Sequence, residues 1–168
     1  MIHPDTEVRY IDERIGYGVF ATRRIPMGTI VYARDGLEIE LDQASFDALD
    51  DKIRVFADKY GYMDEKGIRV VSWDHAKMVN HSCDCNSMSA SYGIEIAIRD
   101  IEADEEITDE YGMFNVEDEM ELGCCCKGCR EILQPDDLEK YHKYWDNFVE
   151  DALQKAKEVS QPLLQYLL

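Results

Sequence analysis

The sequence predicts a mainly β protein of one domain, with one helix covering its sheet and a helical C-terminal extension. Three observations carry this. Short apolar runs recur between Gly- and Pro-containing turns, several of them alternating with period two, as half-buried strands do. Only two stretches, over 42–60 and from 136 onward, change to a spacing of three and four, so helices are few. Finally, 168 residues with 45% hydrophobic content can bury a core without disulfide staples.

In chain order, Val8 to Ile11 alternates weakly as a first strand. Arg14-Ile15-Gly16-Tyr17-Gly18-Val19-Phe20-Ala21 sets two glycines before an apolar run, a tight turn into a strand. Ile25-Pro26-Met27-Gly28 is a turn, and Thr29 to Ala33 and Leu37 to Leu41 read as strands. Phe46, Leu49, Ile53, Phe56 and Tyr60 then fall on one face of a single helix, with Asp42 or Ser45 as its cap. Ile68 to Trp73 and Ile94 to Ile98 are further strands, and Arg99 to Glu106 is a charged connection. From Asp136 the residues Leu138, Tyr141, Trp145, Phe148, Ala152, Leu153 and Ala156 line a helix, which Pro135 and Asp136 open and Pro162 ends or bends. Such a stripe does not stay in water, so the helix either packs back on the domain or forms a homodimer.

The 36 acidic residues outnumber 18 basic ones, giving a net charge of −18. That balance argues against direct binding to nucleic acid, whose phosphates need Lys and Arg, and suits a basic partner. No apolar run resembles a secretory signal or spans a bilayer, so the expectation is an intracellular protein of cytoplasm or nucleus with no membrane partner. Thiols stay reduced there. Four of the six cysteines, packed between Cys124 and Cys129, therefore read as metal ligands rather than disulfide partners.

Four motifs carry the chemistry: Gly16-Tyr17-Gly18, then Met78-Val79-Asn80-His81-Ser82-Cys83-Asp84-Cys85-Asn86, then Ile107-Thr108-Asp109-Glu110-Tyr111-Gly112, then Cys124-Cys125-Cys126-Lys127-Gly128-Cys129. In that order and at these separations the chain resembles the SET-domain protein-lysine methyltransferases, from about Arg14 to Arg130. The resemblance implies the SET fold, β-clip-like, with several short curved sheets and a knot-like C-terminal segment. It divides the chain into a SET domain (1–115), a post-SET zinc-binding segment (116–134) and the helical extension (135–168). It implies S-adenosylmethionine as methyl donor, held by Gly16, Tyr17, Gly18, Asn80 and His81. It implies Tyr111 as the catalytic tyrosine, with Glu110 standing where the family has Asp, and Tyr62 as the second channel tyrosine, with Tyr60 as rival. It implies Zn2+ on Cys83, Cys124, Cys126 and Cys129. The family pattern has two more residues before its last cysteine, so Cys125 or Cys85 remain alternative ligands.

The function so implied is methyl transfer to a lysine of a basic protein, a histone or histone-like one. The charge adds its own argument. Asp104, Glu105, Glu106, Asp109, Glu110, Glu117, Asp118, Glu119 and Glu121 crowd the segment containing Tyr111 and would steer a basic peptide toward it. A second reading is a catalytically silent SET-like module that binds such a peptide. A third is a zinc-stapled interaction domain whose terminal helix does the binding.

Overall fold

In the computed structural model, residues 1–91, 93–124 and 126–166 are described. The strands are β1 (Thr6–Asp12), β2 (Gly16–Ala21), β3 (Ile30–Ala33), β4 (Ile39–Leu41), β5 (Gly61–Met63), β6 (Arg69–Val71), β7 (Asn80–His81), β8 (Ser87–Ser91), β9 (Ile94–Ala97), β10 (Glu106–Asp109), β11 (Met120–Glu121) and β12 (Ile132–Leu133). The helices are α1 (Gln43–Asp47), α2 (Asp51–Tyr60) and α3 (Asp137–Lys155). The main sheet runs β1-β2-β10-β8-β9-β3, with β7 joined to β10; β4-β6-β5 and β11-β12 form two smaller sheets.

β10 decides the topology. It pairs parallel with β7, Thr108 opposite Asn80 and Asp109 opposite His81, and parallel with β8 through Asp109 and Ser87. β7 and β8 are consecutive in sequence, so β10 is threaded between two strands that one short loop connects. Asn86, fully buried in that loop, accepts from Thr108 N at 2.9 Å and donates to Glu106 O at 2.7 Å. Its side-chain amide thereby imitates a strand partner and satisfies backbone groups that would otherwise be buried unpaired. This is the knot-like segment that the resemblance implied.

Val19, Ala21, Ile25, Val31, Ile101 and Ile107 form the first core cluster, under β2 and β10. A second joins Met88, Ile96 and Ile98 of the sheet side to Trp145, Val149 and Ala152 of α3. The terminal helix therefore shares its core with the sheet, and its apolar stripe is covered within the chain. The face is largely the predicted one: Leu138, Trp145, Phe148, Ala152 and Ala156 pack there, Val149 joins them, and Tyr141 and Leu153 are exposed. Beyond α3, Gln161 accepts from Ile30 N and donates to Gly28 O, and Leu163 packs on Ile30 and Ala33.

The single helix predicted over 42–60 is two. Asp42 caps α1 through Ser45 N, as expected, but Asp50 adopts an extended backbone and caps α2 through Lys52 N and Ile53 N. The second cap stops the first helix. α2 buries only Ala57, and Ile53 and Phe56 of the predicted stripe are exposed. It lies against β5 and β6 of the small sheet instead of covering the main one.

Candidate active site and metal centre

A cavity of about 390 Å³ opens between the small sheet and the chain around β10. Tyr62 and Tyr60 line one side, Tyr111 and Phe114 another, with Val31, Val79 and Ile107 supplying apolar surface. β10 delivers Tyr111 to it: after Asp109 the chain leaves the sheet in a 3-10 turn, Tyr111–Met113, that Glu110 caps through Gly112 N at 2.8 Å.

Tyr111 is fixed at both ends. Its backbone N–H donates to His81 Nδ1 at 3.2 Å, and its hydroxyl donates to Val79 O at 2.6 Å. With the hydroxyl proton engaged, the oxygen keeps its lone pairs as acceptors. Burial, with Asp109 and Glu106 adding to it, pushes the phenol well above its ordinary value, so it stays neutral. Burial and the Arg130 charge push His81 down to about 4, leaving a neutral ring that can accept the Tyr111 N–H. Tyr62 packs its ring on Phe114 at 5.3 Å, and its buried hydroxyl makes no hydrogen bond of ordinary geometry. Tyr60 also lines the cavity, with its ring against Phe56 at 4.8 Å.

Gly16, Tyr17, Gly18, Asn80 and His81 do not line this cavity. They gather beside it. Asn80 Nδ2 donates to Tyr17 O at 3.0 Å and to Glu106 Oε1 at 2.8 Å, locking β7 to the glycine turn. A Cβ on Gly18 would stand 2.4 Å from Glu106 Oε1 and 3.0 Å from Asn80 Nδ2, so only glycine permits the lock. Gly16, at φ 86°, faces open space where a Cβ would point, and Tyr17 is 54% exposed. A ligand can reach this backbone unobstructed, so these residues fit a bound cofactor. Tyr111 joins the two regions, lining the cavity while its backbone rests on His81.

The cysteine sulfurs of Cys83, Cys124, Cys126 and Cys129 lie within 4.8 Å of one another. Cys124 Sγ is 3.8 Å from that of Cys83, 3.6 Å from Cys126 and 3.1 Å from Cys129. A tetrahedral zinc with bonds of about 2.3 Å needs sulfurs roughly 3.8 Å apart, so the set fits one ion and could hold it with little movement. Burial opposes ionisation of Cys124, yet hydrogen bonds from Cys83, Cys129 and Cys126 bring its thiol down to about 7. Cys85 is no part of the cluster. It is buried in the core with Met88 and Ile96, and burial raises its thiol far above the usual range. Cys125 lies outside the described residues.

The family model for the SET domain matches residues 16–112, more than half of the chain. The chain belongs to the SET-domain family. Among 211 solved chains that match, one is a candidate histone methyltransferase from Plasmodium falciparum. It is 17% identical, covers 66% of this chain and 95% of its own, and superposes with a TM-score of 0.46. No curated protein matches the chain. The SET match ends at Gly112, so Cys83 lies within it, while Cys124, Cys126, Cys129, Arg130 and α3 are additions to it.

Those additions close on the tyrosine turn of the SET domain. Arg130 pairs with Glu110 Oε1 at 2.5 Å and with Asp137 of α3 at 3.3 Å, and its guanidinium lies over Tyr141 and Trp145. Its backbone N–H donates to Cys83 Sγ at 3.5 Å. Trp145 packs so closely on Gly112 that a Cβ there would meet its ring at 2.6 Å. Arg130 escaped the sequence reading, because a single arginine after a cysteine cluster carries no pattern.

The acidic segment is only partly the negative surface that the sequence predicts. Asp109 and Glu110 are buried, Glu105 pairs with Arg99 and Asp104 with Arg9. Glu106 is committed to Asn80. Glu117, Asp118 and Glu119 are exposed and do line the cavity.

Proposed function

We propose that this SET-domain protein transfers a methyl group from S-adenosylmethionine to a lysine side chain of a basic protein, of histone or histone-like character. The observation that carries the reading is Tyr111, whose lone pairs are free at the cavity wall while its backbone rests on His81 beside the glycine turn. Gly16, Tyr17, Gly18, Asn80 and His81 would hold the cofactor, which supplies an electrophilic methyl on a sulfonium.

The rest is orientation, the main service an enzyme gives an in-line displacement. Val31, Val79 and Ile107 suit the methylenes of an extended side chain, and Tyr111 and Tyr62 present oxygens to its amine. The apolar lining disfavours the ammonium form of the lysine, whose ordinary value is about 10.4. Glu117, Asp118 and Glu119 at the cavity support a substrate with basic flanks. Zinc on the four cysteines would tether Cys83, beside β7, to the segment that carries Arg130.

The test is incubation with labelled S-adenosylmethionine and a panel of basic proteins, histones included, followed by peptide mapping. Label on a lysine with basic neighbours, a Michaelis constant that rises with salt, and the same rise on reversing charge at Glu117, Asp118 and Glu119 are expected. No label on any protein, with tight peptide binding retained, would establish the silent module instead.

A further inference from the structure

Two carboxyl groups, Glu95 of β9 and Asp109 of β10, line the same cavity as Tyr111 and Tyr62. Both are over nine-tenths buried. The two adjoin each other, and the Asp109 charge raises Glu95. Asp109 Oδ1 also accepts from Glu110 N at 2.7 Å. Glu95 Oε2 is buried without a hydrogen-bond partner. Among the described residues no cation pairs with either: Arg34 serves Glu40 and Asp64, and Arg130 serves Glu110 and Asp137.

A buried acid pair with an unmatched oxygen is costly unless something completes it. The completing group must donate N–H bonds, carry positive charge, and arrive through apolar surface. A primary alkylammonium meets all three conditions. We propose that Asp109, backed by Glu95, receives the substrate ammonium at the buried end of the cavity and accepts its proton before methyl transfer. This rests on the function proposed above.

The step balances. The ammonium gives one proton to the Asp109 carboxylate, leaving a neutral amine and a carboxylic acid. The amine lone pair forms the new N–C bond, the methyl's bond to sulfur breaks, and its electrons stay on sulfur as a thioether. The positive charge passes to the methylammonium product, and the Asp109 proton leaves to solvent on release.

The electrostatics agree. Burial pushes both carboxyls well above their ordinary range, Asp109 to about 7, so near neutrality the pair retains a proton and still has an ionised oxygen to accept another. A base near the working pH is suited to general-base catalysis. The groups facing the pair are Glu110, which raises Asp109 further, and the neutral Tyr111, Tyr62, Cys85 and Tyr32, the last opposite Glu95 on β3 and raised by burial. His81 on β7 is also neutral at that pH.

The first experiment needs no cofactor. n-Butylamine, the lysine side chain alone, and n-butanol are titrated into the protein at pH 8 and followed by NMR. Wild type should prefer the ammonium at least tenfold, and Asp109→Asn should abolish the preference. In the second, methyl transfer to a lysine-rich peptide is followed against pH. Asp109→Asn should lose about 100-fold at pH 7 and recover as pH rises toward about 10.4, where lysine deprotonates unaided. Glu95→Gln, whose amide can donate to the Asp109 carboxylate, should move the acid limb to lower pH. It serves if the Asn variant does not fold.

Equal binding of the two probes by wild type, or a wild-type profile in either variant, overturns the proposal. Transfer that persists unchanged in Asp109→Asn overturns it alone. A protein that prefers butylammonium tenfold yet methylates nothing overturns the proposed function and leaves the ammonium site standing.

Discussion

The cavity has two walls built to different standards. One comes from β5, β6 and α2, and α2 buries a single residue, Ala57, while Ile53, Val55 and Phe56 stay in solvent. The other comes from β10, its turn and the chain that follows. There Asn86 clamps the backbone, His81 holds Tyr111, Arg130 bridges Glu110 to α3, and Trp145 seals Gly112. Tyr111 and Asp109 stand on the second wall. Under the proposed function this suits a division of labour, because groups that react must be held to a fraction of an ångström by several independent contacts, whereas a surface that only receives a substrate can be loosely covered.

The contrast makes predictions of decreasing size. Tyr111→Phe should lower turnover about 100-fold or more, the scale of a lost transition-state hydrogen bond, with cofactor affinity nearly unchanged. Single-turnover rates and calorimetric binding would separate the two, and an unchanged rate would remove the tied wall's claim to the chemistry.

Cys83→Ser should come next. Elemental analysis should find one zinc per wild-type chain and less in the variant, with reduced activity and faster proteolysis between 114 and 134. A metal-free protein of full activity would show that the cysteines are not what ties this wall.

Arg130→Met leaves Glu110 and Asp137 as buried carboxylates without their cation. Breaking such a pair costs about 3–5 kcal/mol, read as a fall in the midpoint of chemical denaturation. Adding Glu110→Gln should recover part of it, because the neutral amide tolerates burial. Additive effects would mean that Glu110 and Arg130 are uncoupled.

The smallest effect belongs to the other wall. Val55→Ser, at a side chain 68% exposed, should change stability by no more than about 0.5 kcal/mol and leave turnover alone. A loss comparable to that of Arg130→Met would erase the distinction between the walls.

Read alone, the sequence settled most of what is written locally, although the Asp50 cap that splits 42–60 into two helices was passed over. Gly16-Tyr17-Gly18 opens β2, Asp42 caps α1, and the strands at Thr29 to Ala33 and Ile94 to Ile98 form nearly where alternation put them. Cys124, Cys126 and Cys129 announced a ligand set by residue type and spacing. Tertiary structure decided what depends on residues far apart in the chain. Cys83 joins the cluster from 41 residues away, a placement that only the resemblance had suggested. Asp109 sits two residues after Ile107, so period two already assigned them one face, but only the threading of β10 turned that face to a cavity. Glu95, between two isoleucines, reads as the wet side of a half-exposed strand; here β9 is central, paired on both edges and buried on both faces. Alternation fixes which residues share a side. Whether that side is dry depends on what packs against it, and for a carboxylate on whether another acid, or an incoming ammonium, is there to share its proton or its charge.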